Sequence, residues 1–290
     1  MVAAHEITNQ KEAPSPMPLI DLSTNLGTLP FYYERKAPEA ANAPRLLVIS
    51  GTGGDLRAKP NVMDGPFPKH FDTLAYDQRG LGQSAKPDTP YTMADYADDA
   101  AALMDAIGWD TAHVVGISFG GMVAQELALR HPARVTRLVL ACTSPGGAGG
   151  ASYPLHEVQD MAPDARARHM IPIMDTRRTP EWIAANPETY EQFVAFASND
   201  PYKDEPGHAM GQRRQLEARA QHNTWERLHQ ITCPTFLCGG KYDGQALPET
   251  QEKMLTRLPD AKLEMFDGGH MFMIQDREAF PAMIGFLTGK

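Results

Sequence analysis

Short apolar runs that predict β-strands alternate with amphipathic stretches that predict helices along most of the chain. The clearest runs are residues 45–49, 71–76, 111–117 and 135–142, and each leads into a segment rich in glycine or polar residues. Strands that are apolar throughout and separated by helices are typical of a parallel sheet covered on both faces. We therefore predict an α/β fold with a mostly parallel central sheet and helices on both of its faces.

The alternation is interrupted after the strand predicted at residues 135–142. Residues 144–150 read Ser-Pro-Gly-Gly-Ala-Gly-Gly, which indicates a flexible connection, and helical periodicity follows. The strand pattern returns at residues 235–238 and 262–266, so we expect a helical lid inserted into the α/β core. The predicted division is an N-terminal tail at 1–17, a core of 18–144 and 231–290, and a helical lid at 145–230.

Composition limits the classes of partner. The formal net charge of −9 and the absence of a basic run argue against nucleic acid or an anionic membrane, because both attract clustered Lys and Arg. The sequence has no apolar run of about 18 residues, so we expect no membrane span. The N-terminal residues also lack the apolar core of a signal peptide, which favours a cytoplasmic protein.

The three cysteines are Cys142, Cys233 and Cys238. An odd, low count without a regular framework predicts reduced thiols, as in the cytoplasm. Cys233 and Cys238 flank a predicted strand, and no second pair of ligands stands at metal-binding spacing. We therefore expect neither a disulfide nor a metal site.

Residues 116–120 read Gly-Ile-Ser-Phe-Gly, and they lie between a predicted strand and a predicted helix. In that context the pattern Gly-x-Ser-x-Gly places its serine on a sharp turn, with the hydroxyl clear of the sheet. Only very small residues fit two positions before and after such a serine. Ser118 is therefore the candidate nucleophile, and the alternative is an ordinary serine in a glycine-rich turn.

A serine hydroxyl becomes a good nucleophile only when a base removes its proton. His270 follows the last predicted strand, and loops at the carboxyl edge of a parallel sheet face one another. His113 lies inside a predicted strand, and His131 precedes a proline at a helix end, where it is better explained as a cap. We therefore predict His270 as the base and leave open that it is a loop histidine without a role.

The base needs an acid that fixes its tautomer and stabilises the imidazolium. Asp243 follows the strand predicted at residues 235–238, and it completes the chain order Ser, Asp, His. Asp267 is too close in sequence to His270 to reach it comfortably, and Asp77 begins a different loop. The alternative for Asp243 is an ordinary turn aspartate before glycine.

The negative charge that develops during attack needs preorganised N–H donors. The backbone N–H of Phe119, directly after the nucleophile, is one candidate donor, and the backbone N–H of Thr52 in the Ser-Gly-Thr-Gly loop is the other. The glycines of this loop do not form a nucleotide-binding pattern, because Leu56 stands where a third glycine is required.

Three further motifs carry a resemblance to a known family. Residues 77–84 fit Asp-x-Arg-Gly-x-Gly-x-Ser, residues 243–248 fit Asp-x-x-x-x-Pro, and Gly269 precedes His270. With the serine motif, these segments make the chain resemble the α/β-hydrolase superfamily from about Leu19 to the C-terminus. The resemblance implies the α/β-hydrolase fold and the catalytic set Ser118, Asp243 and His270.

The segment that follows the candidate nucleophile is similar to that of enol-lactonases and small-molecule carboxylesterases. Many members have His-Gly before the second oxyanion donor, and this chain has Ser50-Gly51 instead, which affects the fine geometry of that loop. Relatives that cleave carbon–halogen bonds carry aspartate at the nucleophile position. Serine at position 118 therefore argues against dehalogenation.

The resemblance implies hydrolysis of a small-molecule carboxylic ester or lactone through an acyl-enzyme on Ser118, without a cofactor, by a monomer or homodimer. The alternatives on the same three residues are a C–C bond hydrolase, a thioesterase and a cofactor-free perhydrolase. A ligand-binding receptor that retains the three residues is an alternative outside the enzymes, because fold alone does not determine function.

The predicted substrate pocket lies between the oxyanion loop, the lid and the residues beside His270. Apolar lid residues can also bury one another, so the lid candidates have that simpler explanation. Further lid candidates are Met161, Met170, Met174 and Phe196. The residues predicted to line the pocket are Gly51, Met122, Trp182, Phe193, Met271 and Phe272.

Overall fold

A computed structural model describes residues 19–40 and 42–290 of the protein. The predicted tail at 1–17 lies outside the described residues. Within them, eight strands form one sheet in the order β1-β2-β4-β3-β5-β6-β7-β8. The strands are β1 (Leu19–Thr24), β2 (Gly27–Lys36), β3 (Arg45–Ile49), β4 (Asp72–Tyr76), β5 (Ala112–Ile117), β6 (Val135–Ala141), β7 (Thr235–Gly240) and β8 (Ala261–Phe266).

The six neighbouring strands β4, β3, β5, β6, β7 and β8 are parallel, and the two strands at the other edge, β1 and β2, pair in the antiparallel direction. Strand β2 runs antiparallel to both β1 and β4. The other neighbouring pairs are parallel, and the prediction of a mostly parallel sheet is confirmed. The helices are α1 (Met93–Ala106), α2 (Phe119–Arg130), α3 (Pro163–Met174), α4 (Pro180–Ala185), α5 (Pro187–Ser198), α6 (His208–Ala220), α7 (Pro248–Leu255), α8 (Phe272–Gln275) and α9 (Ala279–Thr288).

Each face of the sheet carries its own apolar core. Alternate residues of a strand point to opposite faces, so Leu47 of β3 packs in the core shared with α1 and α2. Its neighbour Val48 packs in the second core, which includes Phe286 of α9. Both strand residues are fully buried. This double burial explains why the central strands are apolar without a polar alternation.

Four helices lie between β6 and β7, and we call residues 145–230 the helical insertion. Its helices α3 and α5 share a small apolar cluster formed by Ala167, Ile171 and Val194. None of the helices in the described part of the chain is both long and apolar enough to cross a membrane.

The carboxyl ends of the parallel strands place four loops at one edge of the sheet. Strand β3 leads to Thr52, β5 to Ser118, β7 to Asp243, and β8 to His270. In open α/β sheets this edge is where ligands bind, because loops from neighbouring strands converge there. The fold therefore concentrates the residues singled out by sequence in one region.

A buried ion pair joins the loop after β4 to α1. Arg79 Nε lies 2.6 Å from one carboxylate oxygen of Asp99, and Nη2 lies 2.7 Å from the other. The two side chains are 1% and 2% exposed. Asp98, next in the chain, pairs with Arg130 on the surface, where both side chains are more than 40% exposed.

We predict that Asp99→Asn lowers the free energy of unfolding by about 3 kcal/mol or more, because it leaves the Arg79 guanidinium buried without a counter-charge. The matched change Asp98→Asn should cost about 1 kcal/mol or less, because its pair is exposed. Urea denaturation followed by circular dichroism measures both. Equal losses for the two variants would contradict this assignment.

Candidate active site

Ser118 lies at the turn between β5 and α2 in a backbone conformation that side chains rarely adopt. Its φ is 54° and its ψ is −115°. The Ser118 N–H donates to the carbonyl oxygen of Ala141 at 2.8 Å, and its carbonyl oxygen accepts from Thr143 Oγ1 at 2.8 Å. These bonds to β6 and the residues after it hold the turn in its strained geometry.

The glycines on either side of Ser118 are required by close backbone contacts. A Cβ at position 116 would lie 2.4 Å from the carbonyl oxygen of Gly120. A Cβ at position 120 would lie 2.0 Å from the carbonyl oxygen of Ile49 in β3. Both distances are far below any normal contact, so a larger residue at either position would push the turn away from the sheet.

The candidate nucleophile, base and acid form one continuous chain of hydrogen bonds. Ser118 Oγ lies 3.0 Å from His270 Nε2, and His270 Nδ1 lies 2.8 Å from Asp243 Oδ2. The other oxygen of Asp243 accepts the N–H groups of Gln245 and Ala246 at 2.8 and 2.9 Å. With the proton on Nδ1, the lone pair of Nε2 faces the serine hydroxyl.

The three residues are buried, because Ser118, His270 and Asp243 are only 8%, 6% and 2% exposed to solvent. Neither rival acid bonds to His270. Asp267 is 65% exposed and lies near Arg177. Asp77 accepts backbone N–H groups of its own region, and burial raises the pKa of Asp77 to about 7.

The candidate oxyanion donors lie on two loops that pass beside the nucleophile. A Cβ at Gly51 would be 3.5 Å from the Cβ of Ser118, so the loop after β3 is in contact range of the turn. Among the described residues, no acceptor bonds the backbone N–H of Thr52 or of Phe119. Two unsatisfied N–H groups beside a nucleophile are suited to receive a developing negative charge.

The helical insertion holds both candidate catalytic loops through backbone bonds. The His270 N–H donates to the carbonyl oxygen of Met174 at 2.6 Å, and the Gly244 N–H donates to that of Ile173 at 2.9 Å. Both acceptors lie in the last turn of α3, where carbonyl groups lack helical partners. The end of α3 thus joins the acid loop to the base loop.

The insertion also contacts the oxyanion loop. Gln215 of α6 is fully buried, and its Oε1 accepts the Gly53 N–H at 2.9 Å. This bond holds the peptide group between Thr52 and Gly53 in place. Sequence reasoning missed Gln215, because its partner is about 160 residues away and no local pattern marks the contact.

A cavity of about 670 Å³ opens onto Ser118 and His270. Of the predicted lining residues, Gly51 and Met271 contact it, as do the further lid candidates Met170 and Met174. Met161 and Phe196 lie outside the lining and are 37% and 80% exposed.

Four other residues predicted to line the pocket lie outside this cavity lining: Met122, Trp182, Phe193 and Phe272. Phe272 is fully buried and stacks on Phe266 in the core below the sheet. Trp182 stacks on Phe193 within the helical insertion. Met122 borders a second, smaller cavity. Met122 and Phe272 are close in sequence to Ser118 and His270, but closeness in sequence does not determine which way a helix face points.

Gln245 is a contact that the sequence reasoning did not single out. It lines the cavity, it is 6% exposed, and its Nε2 lies 2.8 Å from His270 Nε2. The Gln245 amide and the Ser118 hydroxyl therefore both lie within hydrogen-bond distance of the same ring nitrogen. The sequence signal that could have identified Gln245 is its position two residues after Asp243, in a loop predicted to reach the site.

The cysteines Cys142, Cys233 and Cys238 are unpaired, and Cys142 contributes to the cavity wall. In the parts of the chain that the structure describes, no group of three or more His, Cys, Asp or Glu residues is arranged to hold a metal.

A family model described as alpha/beta hydrolase fold matches residues 44–276. The chain therefore belongs to the α/β-hydrolase family, and it is a hydrolase. It is similar to the poly(3-hydroxyalkanoate) depolymerase of Ectopseudomonas oleovorans, at 29% identity over 252 residues and 83% of each chain. It is also similar to the carbamate hydrolase candidate RutD of Caulobacter sp. (strain K31), at 29% identity over 273 residues. That match covers 89% of this chain and 96% of RutD.

Among solved structures, the enol-lactonase from Burkholderia xenovorans LB400 has the same fold. The TM-score is 0.74 at 23% sequence identity, and the match covers 93% of this chain and 100% of that one. This likeness confirms the predicted α/β-hydrolase fold.

The strain at Ser118 gives a prediction that is independent of activity. We expect Ser118→Gly to be more stable than Ser118→Ala by about 1 kcal/mol, because glycine adopts a φ of 54° without steric cost. Ser23, in the extended strand β1, is the matched control, and there the glycine variant should be the less stable one. Chemical denaturation of the four variants measures both differences, and the same sign at the two positions would refute the strain.

Proposed function

We propose that the protein hydrolyses a small-molecule carboxylic ester or lactone through an acyl-enzyme on Ser118. The observation that carries the proposal is the bonded series from Ser118 Oγ to His270 and Asp243, with distances of 3.0 and 2.8 Å. A hydroxyl, an imidazole in the correct tautomer and a buried carboxylate are the parts that acyl transfer requires. The depolymerase relative supports ester chemistry, since its poly(3-hydroxyalkanoate) substrate is a polyester.

In the acylation step, Ser118 Oγ attacks the carbonyl carbon while its proton moves to His270 Nε2. The electron pair of the carbonyl shifts to its oxygen, and the N–H groups of Thr52 and Phe119 stabilise that oxyanion. The tetrahedral intermediate collapses when the bond to the leaving oxygen breaks, and His270 gives its proton to that oxygen. Asp243 stabilises the imidazolium in between.

In the deacylation step, water takes the place of the alcohol. Its proton moves to His270 Nε2 as its oxygen attacks the acyl carbon, and the same donors stabilise the second oxyanion. The proton then returns to Ser118 as the carboxylate leaves. A lactone follows the same two steps, but its alcohol remains attached to the acyl group and leaves with it.

The cavity supports a substrate with an uncharged, largely apolar acyl group. Two Asp or Arg side chains line it, Asp64 and Arg166, and Asp64 lies near Lys36 and Lys59. Most of the remaining wall consists of aliphatic, aromatic and methionine side chains. The methionine side chains are flexible and can adapt their shape to a ligand. A volume of about 670 Å³ lies within the range of small-molecule sites.

Ser118→Ala should reduce the turnover of p-nitrophenyl acetate by about 10⁴-fold, because the nucleophile is lost while binding is kept. Ser198→Ala, on the outer helix α5, is the control and should keep wild-type activity. Steady-state kinetics on a panel of short esters, lactones, thioesters and carbamates, run with all three proteins, identify the preferred bond. Ligand binding without turnover by the wild type would favour a receptor instead.

Asp243→Asn should lower ester turnover by about 10⁴-fold, because the amide holds His270 in the wrong tautomer. Asp267→Asn removes the rival carboxylate three residues before His270 and should leave kcat/KM within about threefold of wild type, as for exposed residues away from a site. The comparison uses the best substrate of the panel. A larger loss for Asp267→Asn would identify a different acid.

A further inference from the structure

A second cavity, of about 80 Å³, lies apart from the candidate active site, between α2 and the helical insertion. Its polar wall is formed by Arg219 of α6, Ser152, Ser144 and two histidines, His156 and His222. Neither the catalytic proposal nor the sequence motifs use any of these residues.

Arg219 is a buried cation without a carboxylate partner. It is 6% exposed, and its Nη2 donates to Ser152 Oγ at 2.6 Å. Its Nε is buried and has no acceptor. Among the described residues, no Asp or Glu oxygen lies within 4.0 Å of its nitrogens, although the other strongly buried arginine, Arg79, is bound on two sides by Asp99.

The local charge at this cavity is positive. Burial lowers the pKa of Arg219 to about 10, so the guanidinium stays protonated at neutral pH. Burial also lowers the pKa of His222 to about 3, which leaves that ring neutral. The wall therefore carries one full positive charge from Arg219. An isolated charge in a protein interior is costly unless a counter-charge accompanies it.

We propose that this cavity binds a small monovalent oxyanion, a carboxylate or bicarbonate, with Arg219 as its principal ligand. Planar anions with two oxygens match the fork of guanidinium N–H groups. The Ser152 hydroxyl accepts from Arg219, so its own hydrogen is available to the anion. The small volume limits the occupant to an anion of a few atoms.

The position of the cavity gives the bound anion a structural role. Arg219 belongs to α6 of the helical insertion, Ser144 follows β6, and Met122 lies one turn after the candidate nucleophile on α2. Ser144 also bonds Ser152 and His222. An anion on Arg219 would therefore stabilise the junction between the insertion and the core.

The test is the thermal unfolding midpoint in sodium formate, acetate or bicarbonate, against sodium gluconate of equal ionic strength, whose anion is too large for the cavity. We expect the small anions to raise the wild-type midpoint by about 2 to 4 °C at ten times their Kd. Arg219→Met should lose this response, and Arg213→Met, an exposed arginine on the same helix, should keep it.

A wild-type midpoint that is equal in all four salts would overturn the proposal and leave water as the occupant. An undiminished response in Arg219→Met would also overturn it, because the anion would then bind elsewhere, for example in the active site. If Arg219→Met does not fold, Ser152→Ala replaces it. Loss of that hydrogen bond should raise the Kd for formate about tenfold, and an unchanged Kd would reject the site.

Discussion

The parallel pairing of β3 with β5 is the constraint on which the site depends. It places Ile49 opposite Gly116, so the ends of both strands and their loops lie side by side. Within that register the turn at Ser118 rests against the backbone of β3, and glycine at position 120 is the residue that permits it. On the other side of the turn, Gly51 of the loop after β3 lies in contact range of Ser118. One strand pairing therefore places Ser118 beside the loop that carries the candidate donor Thr52.

The acid and the base depend on a second set of contacts, made by the helical insertion. Carbonyl groups at the end of α3 bond the backbone of Gly244 and of His270. A further link runs from Asp175 through Gln275 to the Gly269 N–H, which precedes the base. The insertion thus holds the loops that carry Asp243 and His270, and it also forms a wall of the cavity.

Much of the fold could be predicted from the sequence, because its signals are local. The strand predicted at 45–49 has those bounds in the structure. A short run of apolar residues is what a strand buried on both faces of a sheet requires. The meeting of Ser118, Asp243 and His270 followed from the rule that loops of parallel strands share an edge. That rule needs only the order of the elements.

The pocket could not be predicted in the same way. Whether Met122 or Phe272 faces a cavity depends on how each helix is rotated against the sheet, and sequence proximity to Ser118 or His270 does not encode that rotation. Both residues turn away from the substrate side. Gln215 shows the opposite case, because it is remote in sequence from the loop after β3 but bonds to that loop in the folded chain.

Two helices of the helical insertion, α3 and α6, bond to the loops that carry the candidate site residues. The end of α3 is bonded to the acid and base loops, and α6 is bonded to the oxyanion loop through Gln215. Between them, α5 packs on α3 through a small apolar cluster and the surface pair of Arg168 and Glu191, and Trp182 of α4 stacks on Phe193 of α5. In the described part of the chain, α4 and α5 make none of these bonds to the loops that carry the candidate site residues. The bonds from the insertion to these loops are therefore concentrated in α3 and α6.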